Sequence, residues 1–163
     1  MRRRGPAGDD RDLFAELYPR LRRFAHVLAR QDADDLVQEA LTRTLAVRSL
    51  ASIEDPLAYL RTAMVRIQHN HERAANRRKQ RRIRIGPVED SSRDRYPSDL
   101  ADLMRVPARA RAVLFLTVVE EESYRDAAEL VGCSQAAARQ MASRAMRELR
   151  RDIEDELHTG DLP

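Results

Sequence analysis

A single cysteine, Cys133, stands in the whole 163-residue chain, which excludes an internal disulfide and any zinc site built from several thiolates. Tryptophan is absent and aromatic residues reach only 4%. With five glycines and seven prolines, the chain is also short of the turn and strand residues that a sheet-rich fold uses, so helices are favoured. No apolar run approaches the roughly 20 residues needed to cross a bilayer. The basic start Arg2, Arg3, Arg4 leads into Gly5, Pro6 and polar residues, not into the apolar core of a signal peptide. A cytoplasmic location with no membrane partner is therefore expected. Lysine is nearly missing too, since Lys79 is the only one, and arginine, which replaces it, suits phosphate and guanine contacts. There is no glycine-rich phosphate loop, nucleophile elbow or convergent ligand set. His69 and His71, two apart, cannot share a helical face. Neither catalysis nor a cofactor or metal is expected.

What the chain does have is charge, placed unevenly. Charged residues make up 35% of the sequence, yet the formal net charge is only +3. Between Arg61 and Arg84 there are nine basic residues against one acid, Glu72. A segment of net charge +8 in such a chain points to nucleic acid, with direct contact expected from Arg73, Arg77 and Arg78 and the arginines beyond them. The plainer reading of an arginine run, a solvated helix end, stands beside it.

Periodicity organises the rest. Leu13, Phe14, Leu17, Leu21, Phe24, Ala25 and Leu28 predict a helix from about Asp10 to Ala29, kinked or briefly broken at Pro19. A second helix is expected after Asp32 as N-cap, carried by Leu36, Val37, Ala40, Leu41, Thr44 and Leu45. Arg48 to Glu54 reads as a loop. Asp55-Pro56 then starts a third helix with Leu57, Leu60, Met64 and Ile67 as its buried stripe. From Gly86 to about Asp99 the text GPVEDSSRDRYPSD carries Pro, Gly, Ser and more acid than base, as a linker does. Further helices are expected over Leu100–Met104, Pro107–Val119, Ser123–Val131 and Gln135–Leu157. The architecture predicted is all-α, with two small helical domains, residues 10–84 and 100–157, joined by a flexible linker, 85–99.

Ser123-Tyr124-Arg125-Asp126 has the form of a capping box. Its helix stops at Gly132, Cys133 forms a turn, and Ser134 caps the next helix. Two helices joined by a short glycine-containing turn, the second presenting Arg139, Gln140, Ser143, Arg144 and Arg147, describe a helix-turn-helix with a recognition helix. Ala136, Ala137 and Ala138 leave room for close approach to a groove. The same pattern also fits a structural helical hairpin. Glu120, Glu121 and Glu122 read most simply as a solvated turn.

Taken in order, these motifs resemble a bacterial RNA polymerase sigma factor of the extracytoplasmic-function type, the smallest of the sigma-70 family, which keeps only the second and fourth conserved regions. DADDLVQEALTRTL (Asp32 to Leu45) is similar to a family helix, and DPLAYLRTAMVR (Asp55 to Arg66) runs into arginines as the promoter-melting helix does. VPARARAVL (Val106 to Leu114), SYRDAAELVGCS and a helix ending RAMREL carry the second half. The resemblance implies that Asp35, Gln38 and Glu39 face a coiled coil of the largest subunit of core RNA polymerase. It implies that the 48–54 loop, with Tyr59, Arg61, Arg66 and Arg73, grips the opened downstream element of promoter DNA, and that Arg139, Gln140, Ser143 and Arg144 read the upstream element in the major groove. The linker, net −3 over Gly86 to Asp102, would thread the polymerase channel. An anti-sigma factor is a possible further partner. The chain departs from the family pattern at Ile67, His71 and Met141, so the resemblance does not supply a promoter sequence. A helix-turn-helix regulator that acts without core polymerase remains the alternative.

Overall fold

The computed structural model describes residues 6–85 and 103–159, with side chains described over 9–81 and 103–151. Helix α1 spans Pro6–Ala29 and buries Leu21, Phe24, Ala25 and Leu28. It runs through Pro19 without the expected break, because Pro19 and the Ala15 turn before it lie on the exposed side, where water can satisfy the carbonyl that the proline leaves unpaired. Arg30, at φ +48, turns the chain into a three-residue 3-10 segment, Arg30–Asp32. Helix α2, Ala33–Leu45, starts where Asp32 predicts, although the Asp32 side chain makes no capping bond. The 48–54 loop holds a 3-10 turn, Leu50–Ser52. Leu50 is fully buried there, and Asp10 pins the turn by accepting from Ser49 Oγ (2.6 Å) and Ala51 N (3.0 Å). Those two bonds hold the Asp10 carboxyl below its ordinary range.

Asp55 does cap helix α3, Pro56–Ile85, by accepting from Ala58 N at 3.0 Å. The helix is 30 residues long, about 45 Å at 1.5 Å per residue. Leu60, Met64, Val65 and Ile67 are its buried part. Beyond Ile67, Arg73, Arg77, Arg78, Lys79 and Arg81 are exposed.

The second unit opens with helix α4, Ala108–Leu114, which continues as a π-turn, Phe115–Val119. Helix α5 is Tyr124–Val131 and α6 is Gln135–Thr159. Ser123 caps α5: its hydroxyl accepts from Asp126 N (3.2 Å) and donates to the Asp126 carboxylate (2.7 Å). Gly132 follows at φ +71, the left-handed conformation that ends the helix at little steric cost for glycine. Ser123→Ala is expected to cost about 1 kcal/mol, read as a lower urea midpoint at unchanged slope. An unchanged midpoint would deny the cap any stabilising part.

Among the described residues there is no strand, as the all-α reading requires. Ile85, expected to open the linker, is instead the last residue of α3; the rest of the expected linker, 86–99, and most of the expected Leu100–Met104 helix lie outside the described residues. The two units are not held apart. Phe24 of α1 meets Phe115 of the π-turn with ring centroids 5.6 Å apart, and buried residues of both units form one cluster. An aromatic pair of this tilted kind contributes about 0.5–1.5 kcal/mol beyond its buried area.

Candidate nucleic-acid and protein interfaces

Helix α2 presents an acidic face. Asp35 and Gln38 are exposed and Glu39 is half-buried, and at positions i, i+3 and i+4 they share one side of the helix. Glu39 pairs with Arg43 one turn on and approaches His71 Nε2 at 3.6 Å. Asp34 is engaged elsewhere: it accepts from Tyr18 OH (2.8 Å) and Arg22 Nε (3.0 Å), and the tyrosine bond, with help from Arg22, lowers its pKa. Two adjacent aspartates thus divide, one tying α2 to α1 and one facing outward.

Helix α3 has two faces of different character. At 100° per residue, Arg66, Arg73, Arg77 and Arg81 fall within a stripe about 80° wide that extends about 22 Å. All four are exposed; Arg78, about 60° outside the stripe, and Lys79, on the opposite side of the helix, are exposed too. Arg61 is on the other side of the helix and only 2% exposed. Its two terminal nitrogens clasp Glu120 (Nη1–Oε2 2.7 Å, Nη2–Oε1 2.6 Å), Glu122 Oε1 lies 3.5 Å from Nη1, and the guanidinium sits 5.1 Å over the Phe24 ring. The glutamate turn is therefore not simply solvated. Burial opposes the Glu120 charge, but the Arg61 bonds and field outweigh it and its pKa falls; for Glu122 burial prevails over Arg61 and the pKa rises. In this arrangement Arg61, expected at DNA, is turned into the protein.

The third surface is helix α6. Ser134 caps it, accepting from Ala137 N at 3.1 Å. Ala138, Ala142 and Ala145 pack inward, which sets Arg139, Gln140, Ser143, Arg144 and Arg147 on the exposed side. Arg139 stacks 5.5 Å over the Tyr124 ring of α5, and Arg147 Nε reaches back to Ser143 O at 3.4 Å. A shallow groove, lined by Arg144, Arg147, Arg150 and Arg151 with the single acid Glu148, continues along the helix. Cys133 is half-buried in the turn, as a small apolar residue would be.

Three contributors were missed in the sequence. Arg109 closes the end of α5 by donating to Val131 O (Nη2, 2.7 Å) and Gly132 O (2.7 Å). Arg111, fully buried, donates to the carbonyls of Met104, Val106 and Leu28 and to Glu72 Oε1 at 2.7 Å. Glu72 also accepts from Ala108 N at 3.0 Å, capping α4 from the other unit. Only Glu72 left a trace in the sequence, as the lone acid of a basic segment. Among the described residues no three His, Cys, Asp or Glu side chains gather as a metal site, and no helix is long and apolar enough to cross a membrane.

Residues 13–78 match the family described as sigma-70 region 2, and residues 103–149 match sigma-70 region 4. No curated protein matches. Among solved structures, the chain is similar to the sigma factor RpoE of Bartonella quintana, determined in complex with the anti-sigma factor NepR. The identity is 26% over 90% of this chain and 97% of that one, with a TM-score of 0.66. It is also similar to the PhyRSL–NepR complex from Sphingomonas sp. Fr1, at 22% identity over 85% of each chain and a TM-score of 0.55, a likeness of fold. Two matched regions, covering well over half of the chain in the family's order, make it a member of the sigma-70 family. Within that family it is a sigma factor of the extracytoplasmic-function type, a subunit that joins core RNA polymerase and directs transcription initiation at promoter DNA. Sigma factors as a family are not enzymes. The reading as a regulator independent of polymerase is not favoured, since it leaves the region 2 match without a task.

Proposed function

We propose that α2 docks this sigma factor on core polymerase through Asp35, Gln38 and Glu39, that α3 and the loop before it hold the downstream element, and that α6 reads the upstream element. The observation that carries the proposal is the exposed arginine stripe of α3, Arg66, Arg73, Arg77 and Arg81, directed away from the second unit. Guanidiniums spaced along about 22 Å of rigid helix match a phosphate backbone. Bases leaving the stack then need a π surface, and exposed Tyr59, with Arg48 5.6 Å over its ring, offers one. Arg78 adds charge about 60° beyond the edge of the stripe. On α6, Arg139, Gln140, Ser143, Arg144 and Arg147 supply donors for base edges and phosphates in a major groove.

The chain contributes charge and position, and the polymerase contributes the chemistry. Its place of action is then the cytoplasm, with core polymerase. An anti-sigma factor is proposed as a further partner, because the similar RpoE was determined with one.

The test is dependence on core. Alone, the chain is expected to bind promoter fragments no better than non-specifically, with Kd about 10⁻⁶ M or weaker. Adding core polymerase should give a promoter-specific complex in a mobility-shift assay. Tight, specific duplex binding by the chain alone, unaffected by core, would instead establish a polymerase-independent regulator.

A further inference from the structure

Resting on the sigma-factor reading above, we propose that Asp10 of α1 is a positioning residue for downstream-element recognition: it fixes the shape of the 48–54 loop, so that Arg48 and Tyr59 are set for an unstacked base before DNA arrives. The loop has little of its own to hold it. Its backbone closes a 3-10 turn through Ser52 N to Ser49 O (3.2 Å) and Ile53 N to Leu50 O (3.0 Å), and the Ser52 hydroxyl donates to Ser49 O at 2.6 Å. Such short 3-10 pieces have poor hydrogen-bond geometry.

Two fixtures come from outside the turn. Leu50, at 0% exposure, is the plug that decides where the turn sits. Asp10 decides how it is shaped, because one carboxylate oxygen accepts from the Ser49 hydroxyl and from the Ala51 amide, groups 39 and 41 residues away that flank the plug on either side. Ala51 lies at the start of the 3-10 turn, where amides find no carbonyl within the helix. A carboxylate is a strong acceptor for such a donor.

The charge of Asp10 identifies its part. An anion set behind a loop that must meet a phosphate strand repels that strand, so Asp10 offers nothing by direct contact. What it offers is order. Ser49, which it holds, adjoins Arg48, whose guanidinium lies 5.6 Å over the exposed Tyr59 ring. The bond from α1 thus sets the backbone from which Arg48 braces that ring, while Ala51 and Ser52 stay exposed on the rim. A frame assembled in advance avoids ordering a loop on binding, and it rejects a base that does not fit because it does not adapt to it.

The experiment uses holoenzyme rebuilt from core polymerase and the full chain, with a promoter found by run-off transcription and then randomised over the downstream element or, in a second pool, over the upstream one. Bound DNA is separated by mobility shift and sequenced. A mismatched base pair weakens a specific site by about 5- to 150-fold, and wild type should show preferences of that size in both pools. Asp10→Ala should reduce the downstream preference by about 2- to 10-fold, the equivalent of one long side chain left to be ordered on binding, with the upstream preference and capture of core as in wild type. Asp10→Asn, whose amide oxygen accepts the same two bonds, should keep most of the preference. On the free chain, the Ala51 amide should be protected from hydrogen exchange in wild type and lose that protection in Asp10→Ala. Should Asp10→Ala lack the wild-type helical circular dichroism, Ser49→Ala, which removes one of the two bonds and leaves α1 untouched, carries the test with the same expected direction. A folded variant with unchanged downstream preference overturns the proposal, as does equal loss in both pools or an asparagine variant no better than alanine. Failure of the sigma reading looks different: wild type with core then shows no preference in either pool, whereas failure of the proposal leaves the wild-type preferences standing.

Discussion

Replacing both Asp35 and Glu39 by lysine should abolish association with core polymerase while leaving the chain folded. The two carboxylates share the outward side of α2, and the docking surface expected opposite them is cationic, so reversal turns two attractions into two repulsions. Like-charge contacts at an interface cost several kcal/mol, a loss on the order of 10²- to 10³-fold or more in affinity. The effect on the fold should be small. Asp35 is exposed, and Glu39 gives up only a one-turn pair with Arg43 and a longer contact with His71, interactions of about 0.3–0.5 kcal/mol on a helix surface. Asp34 serves as the internal control: its partners are Tyr18 and Arg22 of α1, so Asp34→Asn should disturb the α1 to α2 contact more than the pull-down. Retained capture of core polymerase by the double variant would refute the docking surface.

The recognition helix provides the second large effect. Arg139 and Arg144 are exposed on α6 and differ in how they are held, since Arg139 rests on Tyr124 and is the better oriented before binding. With holoenzyme on duplex promoter, alanine at either position should cost about 1–3 kcal/mol at one base pair if the contact is to a base edge. If the contact is to phosphate, affinity should fall for every sequence and the slope of log K against log salt should shrink by about one. Unaltered specificity together with an unaltered salt slope would remove α6 from the interface.

Much of this architecture was legible because local rules and tertiary packing agree. The stripe of Leu21, Phe24, Ala25 and Leu28, the Asp55-Pro56 start, the Ser123 cap and the Gly132 stop all read as helix signals and are found as such. At Pro19 the helix does not break, because the cost of a proline depends on which side of the helix it occupies, which composition does not reveal. Asp32 precedes α2, but its carboxylate forms no cap bond.

What stayed hidden is non-local. Arg61 belongs by sequence to a basic helix, and only the approach of a turn 59 residues away gives it a carboxylate partner. Arg111 looked like one of several arginines in an alanine-rich helix, yet it is buried among carbonyls from both units. Glu72 could have raised the question, because a single acid amid nine basic residues is out of keeping with a purely nucleic-acid-facing helix.

The most direct measurement is run-off transcription with purified core polymerase on fragments of the source genome, with and without this chain. Discrete transcripts that appear only when the chain is present, and that disappear with the Asp35/Glu39 double variant, are the predicted outcome. A transcript pattern identical to that of core polymerase alone would contradict the account.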